Sequence, residues 1–239
     1  MVSRQPLLLP LERSLVGGVK MIAPLITSRT QFLRRTAALG WIDRALACLL
    51  FLVLIPALAL AGAWIWFLSG RRSPLVAHLR VGTQRRPFWM IKFRTMWPRS
   101  QPLKPQERGS VERVVSDEVL EIKPRIDPRV TSRFAAWCRM YSIDELPQLW
   151  HVVRGEMSLV GPRPLTAREL DKYYGEQATE ILDVPPGLTG LWQILGRNNL
   201  NYPQRRRLDL FLVRHYCLGL YVKILLRTVP RVLSGSGAW

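Results

Sequence analysis

"ALACLLFLVLIPALALAGAWIWFLSG", residues 45 to 70, carries no charged side chain from end to end. As one helix it exceeds the roughly 20 apolar residues that cross a bilayer core. It is too long, and too far from the start of the chain, to be the apolar core of a cleaved signal peptide. Pro56 sits in its middle, where the ring removes a backbone hydrogen bond and crowds the preceding turn. A kink at Pro56 is the expected result.

The flanks bear on what such a kink does. Arg4, Arg13, Lys20, Arg29, Arg34, Arg35 and Arg44 precede the run, against only Glu12 and Asp43. Arg71, Arg72, Arg80, Arg85, Arg86, Lys92, Arg94 and Arg99 follow it before any acid. A spanning helix keeps its excess positive charge on one side, whereas here both ends favour the same side. Two readings stand: a helix that enters the bilayer, bends and leaves by the same face, or a kinked helix that spans. Trp64, Trp66 and Phe67 suit the headgroup level in either.

With 239 residues there is room for one sizeable domain besides this element. A net charge of +18 points to an anionic partner: nucleic acid, an acidic membrane surface or a phosphorylated substrate. Cys48, Cys138 and Cys217 fall at no zinc-like spacing with His78, His151 and His215, which argues against a disulfide framework or structural zinc. That absence fits a reducing, cytoplasm-facing location. Three regions follow: a basic arm over 1–40, a membrane helix over 41–70 and a domain over 71–239.

Within that domain, "RPFWMIKFRTM" (86–96) alternates, with Trp89, Ile91 and Phe93 on one face and Met90, Lys92 and Arg94 on the other. That period predicts a short strand with one cationic side. The proline-rich 97–126 reads as loop with a helical stretch near 111–122, and "VPPGLTG" (184–190) as a turn. The apolar-rich stretch from Leu208 to Val232 reads equally as a core helix or as a helix lying in the membrane interface.

"YSIDELPQLW" (141–150) sets Asp144 beside Glu145 in a strongly basic chain. Ser142 with Glu145 matches a capping box, a purely structural use. Asp144 as the cap would place Pro147 in the first helical turn, where proline is tolerated. Either way the pair sits at a helix start that favours ionised carboxylates, ready to hold a metal or attack an electrophile. Lys92, Arg94, Arg139 and Arg163 are cations of the kind phosphoryl chemistry needs around such a pair.

Taken in order, "RVG" (80–82), "KFRTM" (92–96), "DPRVT" (127–131), "SIDELPQLW" (142–150), "GEMSLVGPRP" (155–164) and "PGLTGLWQ" (186–193), behind a proline-broken apolar segment, resemble the bacterial sugar transferases, or monotopic phosphoglycosyl transferases. "LDL" (208–210) and "KILLRT" (223–228) follow, so the likeness runs from about Trp41 to Thr228. It departs at "SRFAAW", which lacks the family's glycine, and at Tyr221, where the family carries an acid.

The resemblance implies a mainly α fold with a small β element: a monotopic membrane protein with a Pro-kinked re-entrant helix and interfacial amphipathic helices. It implies transfer of a sugar-1-phosphate from a UDP-sugar to polyprenyl (undecaprenyl) phosphate with release of UMP, initiating exopolysaccharide, O-antigen or related glycan synthesis. Asp144 would be the nucleophile, forming an aspartyl phosphosugar, and Glu145 the magnesium ligand. Lys92, Arg94, Arg139 and Arg163 would grip phosphate, while Pro186, Gly187, Thr189, Gly190 and Arg197 would meet the nucleotide. The expected place is the cytoplasmic face of a bacterial inner membrane, among anionic lipids and with no nucleic-acid partner. Two rivals remain: a nucleic-acid-binding membrane protein, favoured by the charge, and a scaffold whose acid pair merely caps a helix.

Overall fold

Helix α1 (Arg29–Leu68) continues without interruption through Pro56, so the proline does not end it, and it begins well before the apolar run. The computed structural model describes residues 29–96, 111–115, 130, 132–197 and 200–235. The arm up to residue 28 and most of the 97–126 loop lie outside them. Over Leu39–Leu68 the mean hydropathy is 2.6, and α1 is the one helix among the described residues long and apolar enough to cross a membrane.

One folded body grips both halves of this helix. In the first half, Asp43 is buried and accepts from Ser158 Oγ, Tyr221 Oη and, at 3.2 Å, Leu159 N. Ala47 is fully buried nearby, and the ring of Phe51 meets that of Trp150 at 6.0 Å. In the second half, fully buried Ile65 packs with Phe93 and Ala135, and Trp64 meets Phe134 edge-on at 6.5 Å. Over the apolar run much of the remaining surface of α1 is open, with Leu60 73% and Phe67 67% exposed and Trp41 70% exposed just before it.

Strands β1 (Leu75–Val81) and β2 (Pro87–Phe93) pair antiparallel, and β3 (Val111–Val114) adds parallel to β1, in the order β2-β1-β3. The strand expected in 86–96 is β2. Where a helical stretch was expected from Val111, the chain instead forms β3, because the open edge of β1 supplies a ladder that four residues can join. The register sets Val76 opposite Lys92, His78 opposite Met90 and Arg80 opposite Phe88. Since partners across a ladder share a face, His78, Arg80 and Lys92 project from the same side.

The chain continues through α2 (Arg133–Met140), a 3₁₀ segment (Ile143–Gln148), α3 (Leu149–Arg154), β4 (Ser158–Val160), α4 (Ala167–Tyr173), α5 (Ala178–Ile181), β5 (Gly187–Thr189), α6 (Leu191–Leu195), α7 (Tyr202–Arg214) and α8 (Leu218–Leu233). The expected turn at 184–190 contains β5, parallel to β4. Gly187 lies against Gly161 so closely that a Cβ on either would strike the other's backbone. The apolar stretch from Leu208 is two helices, divided at His215–Cys217. Helix α8 buries Leu220, Tyr221 and Ile224 while leaving Leu218, Val222, Leu226, Val229 and Leu233 exposed.

Candidate active site

Ser132 caps α2 by accepting from Ala135 N at 3.0 Å, and the last turn of that helix carries Arg139. Ser142 then adopts φ 56, and this left-handed turn launches the 3₁₀ segment that holds Asp144 and Glu145. Neither capping reading holds. Ser142 makes no side-chain cap, its hydroxyl accepting from Arg197 Nη2 instead, and Asp144 lies inside the segment. Glu145 N bonds to Ser142 O at 3.1 Å, so the Ser142 carbonyl rather than a side chain closes the turn.

The cations converge. Lys92 Nζ donates to Glu145 Oε1 at 2.7 Å, with both side chains partly buried. Asp144 feels the charges of Lys92 and Arg139, and Glu145 those of Lys92, Arg163 and Arg197. Burial and the adjacent Glu145 push the Asp144 carboxyl up to about 6, although Lys92 and Arg139 pull it down. Burial acts on Glu145 too, but Lys92, Arg163 and Arg197 outweigh it and hold that carboxyl below its ordinary value. The two acids are thereby separated: Glu145 is clamped in its ionised form, and Asp144 is the more basic of the two.

Arg94 does not join this ring. It is buried and tied by Nε to Ser73 O at 2.7 Å and by Nη2 to Glu112, which makes it a brace between β1, β2 and β3. Gly187 N is spent on Pro162 O at 2.8 Å, and Thr189 Oγ1 on Thr228 at 2.8 Å. Of the residues expected to meet the nucleotide, Arg197 reaches the acid pair, through Ser142.

A second polar layer lies behind, and the sequence reading overlooked most of it. Arg163 and Arg205 flank the Trp192 ring at 4.8 and 5.5 Å from its centroid. Asp209, fully buried, accepts from Tyr174 Oη at 2.8 Å and from Arg163 N at 3.4 Å. Glu169 accepts from Tyr202 Oη at 2.7 Å and Arg80 Nη1 at 3.5 Å. Asp209 sits in "LDL" and Arg80 in "RVG", so the motifs held the signal, but nothing in the sequence tied Glu169 or Tyr202 to them. The Nε atoms of Arg80, Arg163 and Arg205 have no hydrogen-bond partner among the described residues, although all three are buried atoms. Buried guanidinium N–H groups of this kind are suited to an incoming phosphate. Cys138 is no rival nucleophile: burial, with Asp144 beside it, drives its thiol up to about 12.

The sequence pattern that describes the bacterial sugar transferases matches residues 30–235. The chain belongs to the bacterial sugar transferase family. It is 38% identical over 214 residues to a UDP-galactose-lipid carrier transferase of Erwinia amylovora, covering 88% of this chain and 42% of that protein. It is 32% identical over 210 residues to an undecaprenyl-phosphate galactose phosphotransferase of Salmonella typhimurium, covering 88% and 42%. With the exopolysaccharide production protein ExoY of Sinorhizobium fredii it shares 36% over 198 residues, covering 82% and 86%. This sugar transferase thus spans about two fifths of the first two relatives and most of the third. The match takes in the acid pair, the ring of cations and α1.

As to a metal, Asp144 and Glu145 supply adjacent hard oxygen donors, and no group of three or more His, Cys, Asp or Glu gathers among the described residues. Hard carboxylate oxygens suit magnesium, which keeps waters and phosphate oxygens in its shell. The donor set therefore fits that ion.

Proposed function

We propose that this chain moves a sugar-1-phosphate from a UDP-sugar to polyprenyl phosphate at the cytoplasmic face of a bacterial inner membrane, as an opening step of exopolysaccharide or related glycan synthesis. The observation that carries the reading is the pair of unlike carboxylates inside the ring of Lys92, Arg139, Arg163 and Arg197. The relatives' names, which speak of lipid carriers and undecaprenyl phosphate, agree with it.

In this mechanism a carboxylate oxygen of Asp144 attacks the phosphorus that bears the sugar. The P–O bond to UMP breaks, UMP leaves with the electron pair, and an aspartyl phosphosugar remains. An oxygen of the lipid phosphate then attacks the same phosphorus and expels Asp144, giving the polyprenyl diphosphate sugar. No proton has to be removed from the Asp144 nucleophile, because it is mostly ionised at neutral pH. Lys92, Arg139 and Arg163 reduce the repulsion between this carboxylate and an anionic diphosphate. Glu145 would hold magnesium, which when bound neutralises diphosphate charge.

Re-entrance has a structural argument as well. Asp43 and Ile65, near opposite ends of the apolar helix, are both buried against the same domain. A helix crossing about 30 Å of hydrocarbon could not lean on one water-exposed body at both ends. Burial at both positions supports the re-entrant reading, in which the helix enters and leaves by one face, and the net charge of +18 would draw the chain to anionic lipids.

The test uses UDP-galactose and UDP-glucose labelled in the sugar, with the membrane-embedded protein and magnesium. Label retained on the protein and release of UMP are expected, both lost in Asp144→Asn. Undiminished turnover in that variant overturns the covalent route.

A further inference from the structure

Beside the acid pair opens a cavity of about 370 Å³. Leu46, Leu50 and Leu54 of α1 form one wall, and Leu225 and Val229 of α8 the other. Ser142, Glu145, Arg197 and Arg231 also line it. Its volume is at the small end of ligand sites, suited to a section of a long chain rather than the whole.

The polar lining is unfinished. Arg197 donates through Nη2 to Ser142, yet its buried Nη1 has no hydrogen-bond partner among the described residues, and neither has the buried Nε of Arg231. Arg197 is held at φ 49, a left-handed backbone that is costly for arginine. Burial disfavours its charge, Glu145 favours it, and Arg231 disfavours it, its like charge being close enough to be felt. An anion between the two guanidiniums would relieve that repulsion and take up their idle N–H groups.

The rim is equally telling. Leu50 is 39% exposed, Val229 58% and Leu233 69%. They run on into the open apolar surfaces of both helices, Leu49 and Val53 on α1 and Val222 and Leu226 on α8. The mouth therefore lies on the side turned to lipid.

We propose that this cavity seats the polyprenyl phosphate acceptor: Arg197 and Arg231 hold its phosphate next to Glu145, and the first isoprene units lie between α1 and α8. The rest of the tail leaves past Leu50 and Val229 into the bilayer. The inference rests on the function proposed above. It places the acceptor oxygen on the cavity side of the phosphorus, where the new P–O bond forms as the bond to Asp144 breaks and the carboxylate departs with its electrons.

Exchange of labelled UMP into UDP-sugar reports the first half-reaction and needs no lipid, whereas sugar transfer to undecaprenyl phosphate reports both. The full chain in nanodiscs is compared with Leu225→Trp, which fills the cavity, and Arg231→Gln, which removes a phosphate grip. Exchange should stay within about twofold of wild type while the KM for undecaprenyl phosphate rises about tenfold or more, as loss of one charge-assisted contact implies. A diazirine-bearing polyprenyl phosphate should label the α1 or α8 peptide. Normal exchange with an unchanged lipid KM in both variants overturns the proposal, as does labelling of that peptide by a phospholipid probe that polyprenyl phosphate fails to displace. If Leu225→Trp does not fold, Arg231→Gln and the probe decide. Absence of exchange in the wild type would instead overturn the parent function.

Discussion

Replacing Lys92 by Gln removes one charge from the centre of the site while keeping a side chain of similar reach. The bond in question is 2.7 Å, between groups 24% and 30% exposed. Coulomb's law at an effective dielectric near 20 gives a raw attraction of about 6 kcal/mol, most of which desolvation offsets. The net worth of a hydrogen bond to a charged group is about 1.5–3 kcal/mol. If that is felt in the transition state, kcat/KM for UMP release falls about ten- to hundredfold. Arg163 and Arg197 still face Glu145, so the variant should fold.

A second readout separates charge from mere shape. Lys92 lowers the Asp144 carboxyl, which burial and Glu145 hold at about 6, so its loss lifts that value further. Only the ionised carboxylate attacks, hence the acidic limb of the rate profile must move to higher pH in Lys92→Gln at a fixed magnesium concentration. Measured by UMP release between pH 5 and 8, an unmoved limb with less than a threefold loss would refute this electrostatic account.

Three further expectations concern neighbouring groups. Glu145→Gln should raise the magnesium concentration for half-maximal UMP release about tenfold or more, read by titration after chelation. Arg94→Gln should lower Tm by several degrees in thermal unfolding while leaving the KM for UDP-sugar within about twofold, since the side chain braces the sheet rather than facing the acids. Burial lifts Asp209 to about 7 against an ordinary 3.8, so the native state holds a proton that the unfolded chain releases earlier. Stability therefore declines as pH rises from about 4 through 7, and Asp209→Asn should flatten that decline in unfolding curves recorded at pH 5 and 8.

Much of the candidate site was legible because it lies in short contiguous motifs. Asp144 and Glu145 are adjacent, and the alternation around Lys92 marked both a strand and its cationic face. The layer behind was not legible in the same way. Arg205 and Asp209 stand four apart on α7 and are both buried, because Trp192 and Tyr174 arrive from other segments to cover them. Asp43 looked like one more flank charge, whereas long-range partners bury it. Val111–Val114 and Gly187–Thr189 are too short to announce themselves, and each became a strand only because a neighbour offered a ladder. Arg94 is the converse case, a motif residue whose bonds go to Ser73 and Glu112 rather than to the acid pair.

The latch at Asp43 has a bearing on how the protein is made. Its partners Ser158 and Tyr221 lie 115 and 178 residues downstream. Helix α1 leaves the ribosome and meets lipid long before either partner has been synthesised, carrying a carboxylate that still lacks both of them. Its seating is consequently provisional until Tyr221 has been added, and a ribosome stalled before that residue would hold a nascent chain whose anchor is still loose.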